Sequence, residues 1–138
     1  MFTKSYTALS PLKRSIVSAI IGFFVYGTWA MAVNLMHGKE SAIKAGVTQG
    51  LYSFTLTFIM TFLIETIYKA MMQVMPYKVI AATSTVVLCC VMVFSGSWYI
   101  NFLAGTPEIF NTVILGYVLG GLYAIAYTIV LAKDANFD

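Results

Sequence analysis

The chain has 138 residues, of which 60% are hydrophobic and only 9% are charged, and its mean hydropathy is +0.87. This balance excludes an ordinary soluble domain. Contact with anionic lipid headgroups explains the net charge of +3, so we expect membrane lipids and no nucleic acid among the partners.

Four apolar stretches carry the excess of hydrophobic residues: 15–36, 47–67, 79–103 and 109–132. Each has roughly the 20 residues that a helix needs to cross a hydrocarbon core of about 30 Å. A helix also satisfies its own backbone hydrogen bonds in lipid. The sequence therefore predicts an all-α integral membrane protein, with four transmembrane helices in a single domain over residues 1–138.

Proline and capping residues mark two of the predicted helix starts. Ser10 precedes Pro11, and Thr106 precedes Pro107 and Glu108. Serine and threonine side chains cap helix N-termini, and proline is favoured in the first turn. We therefore expect Ser10 to cap the first helix and Thr106 to do the same for the fourth.

Basic residues are distributed unevenly between the two predicted sides of the membrane. If the N-terminus is inside, six of the eight Lys and Arg residues lie on the cytoplasmic side, and only Lys39 and Lys44 lie outside. The positive-inside rule then places both termini and the link at 69–78 in the cytoplasm, and the connections at 37–45 and 105–108 outside. We expect an integral protein of a bacterial inner membrane.

The two halves of the chain share a fixed order of residues, which indicates a duplicated two-helix unit. The first half contains, in order, Gly27-Thr28-Trp29, Asn34, Gly38, Glu40 and Gly50-Leu51-Tyr52-Ser53. The second half contains Gly96-Ser97-Trp98, Asn101, Gly105, Glu108 and Gly121-Leu122-Tyr123-Ala124. We therefore predict two tandem hairpins, at about 15–69 and 79–133, related as a parallel internal repeat by an axis along the membrane normal.

Polar residues recur at every fourth position of the second predicted helix and form what we call the polar stripe. Its members are Gln49, Ser53, Thr57, Thr61, Glu65 and Lys69. Residues four apart lie on neighbouring turns, offset by about 40°, so the stripe winds slowly around the helix. One interpretation is packing, because hydroxyls that bond to their own helix carbonyls are tolerated in lipid. The other is a track that binds a solute or a lipid headgroup.

Small residues recur with the same spacing in the fourth predicted helix. The positions are Gly116, Gly120, Ala124 and Thr128. Small side chains at this spacing let two membrane helices approach closely. We therefore predict that the second and fourth helices pack together along these residues.

Glu65 has two interpretations of its own. A carboxylate within a membrane span is by default a functional hypothesis, which would make Glu65 the end of a ligand-binding track. Glu65 also lies near the predicted cytoplasmic end of its helix, and Lys69 follows four residues later, the favourable order for a helical ion pair. The sequence leaves both interpretations open.

Two Trp residues and two Asn residues are expected near the outer ends of the helices. Trp29 and Trp98 are typical of interfacial anchors, and ligand contact is the alternative. Asn34 and Asn101 each precede a glycine by four positions. Their amides could cap helix carbonyls or bind a ligand oxygen, so all four are candidate ligand-binding residues.

The arrangements typical of enzymes are missing from the sequence. His37 is the only histidine, and no Asp lies within a predicted span, so we expect neither a metal site nor a cofactor. Cys89 and Cys90 are adjacent, unlike the Cys-x-x-Cys of thiol oxidoreductases. No phosphate-binding loop or nucleophile elbow is present. We therefore predict no catalytic residues and no enzymatic activity.

The polar stripe supports a hypothesis about function. We expect a transport-like role, in which a small polar or lipid-linked molecule contacts the polar face of the second helix. The alternative is a non-catalytic accessory or scaffold subunit that packs against a larger membrane complex through the same face. A transporter should enclose a cavity and form a homo-oligomer, whereas an accessory subunit should leave the stripe bare.

Overall fold

The computed structural model describes residues 10–134, and these are almost entirely helical. The elements are α1 (Pro11–Asn34), a short 3-10 turn (Leu35–His37), α2 (Lys39–Val74), α3 (Lys78–Leu103) and α4 (Ile109–Asp134). All four α-helices are long and apolar enough to span a membrane. The prediction of an all-helical chain with four membrane-spanning lengths is confirmed.

The helices form an up-down bundle because short connections join each one to the next. Helices α1 and α3 each pack against α2 and α4, and α2 also contacts α4 across the bundle. The connections at 35–38 and 104–108 lie together at one end, which we call the turn end. The opposite end, with residue 10, the link at 75–77 and residue 134, is the termini end.

Helix α2 is much longer than its predicted span. Its 36 residues extend for about 54 Å at 1.5 Å per residue, compared with a hydrocarbon core of about 30 Å. Residues 39–45 and 69–74, which we expected to form connections, are turns of this helix. The charged residues in these segments do not stop a helix; α2 instead begins after Gly38 and ends just before Pro76.

The predicted capping of α1 by Ser10 and of α4 by Thr106 is not observed. Pro11 does lie at the start of α1, but the Ser10 side chain makes no capping hydrogen bond. Thr106 Oγ1 donates to Asn101 Oδ1 over 2.9 Å instead of capping α4. The Glu108 backbone N–H donates to Asn34 Oδ1 over 2.9 Å, so the start of α4 is capped by a side chain from the end of α1.

The closest backbone approach around a glycine is between α1 and α2. A β-carbon on Gly27 would lie 2.9 Å from the carbonyl oxygen of Gly46, and one on Gly50 would lie 3.0 Å from that of Phe23. Gly46 and Gly50 are four residues apart, the spacing that lets membrane helices pack backbone to backbone. The glycine seam of this bundle, Gly27 with Gly46 and Gly50, therefore joins α1 to α2.

Gly116 and Gly120, which we predicted to pack α4 against α2, make no close backbone contact. A β-carbon on Gly120 would find only the Val93 side chain of α3, at 3.9 Å, and one on Gly116 would first meet the Gln49 side chain, at 3.6 Å. A small residue permits close packing but does not require it. Ala124 and Thr128 do lie at buried positions.

The apolar core lies towards the termini end of the bundle, where α2, α3 and α4 meet. Its buried members are Met60, Ile64, Cys89, Val93 and Ala124. Leucine, isoleucine and tyrosine side chains that are partly buried pack around them. Because this core takes nothing from α1, the space between α1 and the other three helices is filled less completely there, and a cavity opens beside it.

Candidate ligand-binding cavity

A cavity of about 480 Å³ lies between the helices and is lined by residues of all four. It is partly open to the outside, where the exposed side chains of Tyr117, Leu119 and Tyr123 border it. Its size is within the range of about 300–1,000 Å³ that is typical of small-molecule sites. One end lies at Gln49 and Ser97, near the turn end, and the other lies at Arg14 and Ser15 of α1. The cavity therefore runs along the bundle through the depth that the membrane would occupy.

Four members of the polar stripe line this cavity: Gln49, Ser53, Thr57 and Thr61. Glu65 and Lys69 are not among the lining residues. Each step of four residues turns the stripe by about 40°, so it has turned about 160° between Gln49 and Glu65. This rotation carries the last two members away from the cavity.

Gln49 forms the polar end of the cavity and is held in one orientation. Its Oε1 accepts hydrogen bonds from Asn101 Nδ2 at 2.6 Å and Ser97 Oγ at 3.1 Å. Asn101 Nδ2 also donates to the Ser97 carbonyl at 2.9 Å, and a carbonyl can only accept. The Asn101 nitrogen is thus fixed as a donor, so the Gln49 oxygen must face it.

The Gln49 nitrogen consequently points away from this network. It lies opposite Gly116, where a β-carbon would be 3.6 Å from Nε2, and Gly116 also lines the cavity. Gln49 is only 2% exposed, yet Nε2 donates no hydrogen bond to any residue between 10 and 134. Both N–H groups therefore remain available to a ligand in the cavity.

Hydroxyl groups and aromatic rings cover the middle of the cavity. Ser53, which is 5% exposed, lies one turn from Gln49 and makes no hydrogen bond within the described chain. The Tyr52 hydroxyl donates to the Val93 carbonyl at 2.9 Å, and Thr61 Oγ1 lies 2.9 Å from the Tyr123 hydroxyl. The cavity wall is therefore amphipathic, with isolated polar atoms between rings.

Glu65 forms a hydrogen bond between helices and does not line the cavity. The Tyr127 hydroxyl donates to Glu65 Oε1 at 2.7 Å, which joins α2 to α4 near the termini end. No ion pair connects Glu65 with Lys69 among residues 10–134. Neither of the two interpretations from the sequence matches this position: Glu65 does not line the cavity and does not pair with Lys69, and its carboxylate connects α2 to α4.

Asn34 is completely buried at the turn end and does not line the cavity. Its Nδ2 donates to the Ala30 carbonyl and to Thr112 Oγ1, both at 2.8 Å, and its Oδ1 accepts the Glu108 N–H. Asn101 is also completely buried. Because other residues use the hydrogen-bonding groups of both amides, the two side chains connect helices and have the capping role considered from sequence.

Both tryptophans lie outside the cavity. Trp29 Nε1 donates to the Asn111 carbonyl at 2.7 Å, and so joins α1 to the start of α4. Trp98 is 38% exposed, and its ring centre lies 5.7 Å from that of Phe94. These positions suit interfacial anchors.

Several residues that line the cavity were not expected from the sequence, including Arg14, Tyr26, Tyr52, Phe94 and Ser97. Tyr52 and Ser97 do lie in segments that recur in both halves of the chain, a signal that could have identified them. Nothing in the local sequence distinguishes Tyr26 or Phe94 from other aromatic residues of a membrane helix. Comparison with family models, curated proteins and solved structures finds no match for this chain.

Proposed function

We propose that the cavity binds a small polar or lipid-linked molecule and that the protein has a transport-like role. The observation that carries the proposal is that Gln49, Ser53, Thr57 and Thr61, from one helix, all line the same cavity. Hydroxyl and amide groups are costly in a bilayer unless they have partners. A ligand that hydrogen-bonds to them would offset this cost.

The accessory-subunit alternative is less well supported. That hypothesis requires the polar stripe to face outward and to remain bare until a larger partner covers it. Ser53 is instead buried within the chain, and Thr57 lies beside Gly22 of α1, where a β-carbon would be 3.0 Å from Thr57 Oγ1. The part of the stripe nearest the turn end is therefore already covered by the protein's own helices, which favours a ligand held between them.

The proposal also includes the orientation of the protein in the membrane, its origin from a duplicated hairpin and its assembly into an oligomer. The positive-inside rule supports a bacterial inner-membrane protein with both termini in the cytoplasm. Two tandem hairpins are supported by Gly38 and Gly105, which follow the first helix of each half and both have positive φ, 101° and 69°. Membrane lipids would surround the bundle, and further copies of the chain would pack on its apolar exterior as a homo-oligomer.

The test is ligand retention by Thr57→Val, a substitution that keeps the side-chain shape and removes the hydroxyl from the cavity. The protein is extracted in native lipid, and the small molecules that co-purify with it are identified by mass spectrometry. We expect Thr57→Val to lose most of a molecule that wild type retains, because a hydrogen bond of about 1 kcal/mol corresponds to about fivefold in affinity.

The matched control is Thr55→Val on the same helix. Thr55 is exposed, and its hydroxyl donates to the Leu51 carbonyl of its own helix at 3.0 Å. This variant should retain the molecule at the wild-type level. Equal retention by both variants, or no retained molecule in wild type, would contradict the proposed function.

A further inference from the structure

The Gln49 amide indicates what chemical group the cavity accepts. Its oxygen is used by Asn101 and Ser97, whereas its nitrogen has no acceptor in the described chain. The residue is only 2% exposed, and its amide cannot rotate without breaking two hydrogen bonds. Gln49 therefore presents two N–H donors in a fixed direction, and a ligand atom that binds them must be a hydrogen-bond acceptor.

The charges around the cavity restrict the acceptor further. Arg14 is the only charged residue among the lining residues of the described chain. Gly27 and Gly46 lie at the same level because they are in contact. From that level towards the termini end, Arg14 lies 13 residues away along α1 and Gln49 lies three residues away along α2. At about 1.5 Å per residue, the two positions are therefore about 15 Å apart along the bundle. A carboxylate or phosphate at Gln49 would therefore be buried without a nearby cation, which is strongly unfavourable.

The remaining neighbours of Gln49 are neutral. The Ser53 hydroxyl lies one turn away and can donate a second hydrogen bond. The rings of Tyr26, Tyr52 and Phe94 line the same region, and aromatic walls pack well against a planar ligand group. The lining thus combines fixed neutral donors with aromatic surface.

We propose that the cavity binds an uncharged molecule that places a carbonyl oxygen on Gln49 Nε2 and a planar, apolar body between the aromatic side chains. This inference rests on the proposed function and specifies its ligand class. The carbonyl replaces the acceptor that Gln49 lacks, and the apolar body lets the ligand enter from the lipid.

The inference is tested with three radiolabelled probes of matched shape. They are 4-octylacetophenone, which carries a neutral carbonyl, 4-octylbenzoate at pH 8, which carries a carboxylate, and 1-ethyl-4-octylbenzene, which has no acceptor. Binding is measured on the full chain in nanodiscs of phosphatidylcholine. We expect the ketone to bind on the order of tenfold more tightly than the hydrocarbon, as one well-formed hydrogen bond allows, and more tightly than the carboxylate.

A pair of glycine variants locates the binding site. Gly116→Ala adds a methyl group 3.6 Å from Gln49 Nε2, and Gly121→Ala adds one 3.6 Å from Cys90 Sγ, outside the cavity lining. Both contacts are ordinary van der Waals distances, so both variants should fold. We expect Gly116→Ala to abolish the preference for the ketone and to remove the hydrogen-bonded infrared band of its ¹³C-labelled carbonyl. Gly121→Ala should change neither.

The outcomes separate this inference from the function on which it rests. Ketone binding no tighter than hydrocarbon binding, tighter binding of the carboxylate, or an unaltered ketone preference in Gly116→Ala would overturn the carbonyl assignment. A native molecule that wild type retains and Thr57→Val loses would leave the proposed function intact in each of these cases. Failure of that retention experiment would remove the proposed function itself.

Discussion

Gly27→Ala should destabilise the bundle, although it adds a single methyl group. The new β-carbon would lie 2.9 Å from the backbone carbonyl oxygen of Gly46. A backbone atom in a helix cannot rotate away, so α1 and α2 must separate along the glycine seam. Overpacking of this kind costs about 1–3 kcal/mol, and we expect Gly27→Ala to lower the free energy of unfolding in detergent micelles by that amount.

Gly120→Ala is the matched control for the glycine seam. Its β-carbon would meet only Val93, at 3.9 Å, which is an ordinary contact. Alanine also has a higher helix propensity than glycine, by about 1 kcal/mol, so this variant should be as stable as wild type or slightly more stable. A larger loss of stability in Gly120→Ala than in Gly27→Ala would show that the close helix contact is between α2 and α4 after all.

Asn34→Leu should be the most damaging substitution at the turn end. Asn34 is completely buried, and its Oδ1 is the acceptor for the Glu108 N–H at the start of α4. Leucine has a similar size but no acceptor, so it would leave this N–H without its partner. Loss of the hydrogen bonds that Asn34 makes to Glu108 and Thr112 costs about 1–3 kcal/mol in total, at about 0.5–1.5 kcal/mol each.

Asn111→Leu provides the comparison for Asn34→Leu. Asn111 is exposed, and its Nδ2 donates to the Glu108 carboxylate one turn away at 3.0 Å. Its backbone carbonyl would still accept the hydrogen bond from Trp29. A surface substitution of this kind changes stability by less than about 0.5 kcal/mol. Equal unfolding free energies for the two variants would mean that Asn34 does not cap α4.

The number of helices could be predicted from the sequence because hydropathy alone identifies segments that are long enough to cross a bilayer. The ends of α2 could not be predicted from hydropathy. Charged residues such as Lys39 and Lys69 suggested connections, but a helix can continue beyond the membrane until its backbone is interrupted. Gly38, with φ of 101°, and Pro76 supply those interruptions.

The cavity wall was predictable in part, for a geometric reason. A four-residue spacing keeps side chains on one face for about three steps, so Gln49 to Thr61 share the cavity. The same spacing fails at Glu65, where the accumulated rotation moves the carboxylate to Tyr127. A spacing rule that holds over a short segment therefore should not be extended along a whole helix.

The spacing of small residues could not predict which helices pack closely together. Gly46 with Gly50 and Gly116 with Gly120 have the same separation in sequence, but only the first pair makes a close backbone contact. The sequence shows where a close approach is possible, while the packing of all four helices decides where it occurs. The capping of α4 by Asn34 depends on the same long-range arrangement.

The most direct test of the internal ligand site is an electron cryomicroscopy structure of the protein in its native lipid. We expect non-protein density inside the bundle, within hydrogen-bonding distance of Gln49 Nε2 and continuing past Ser53 and Thr57 between the aromatic side chains. A cavity filled by the protein's own side chains, or one that contains only ordered water, would contradict the account.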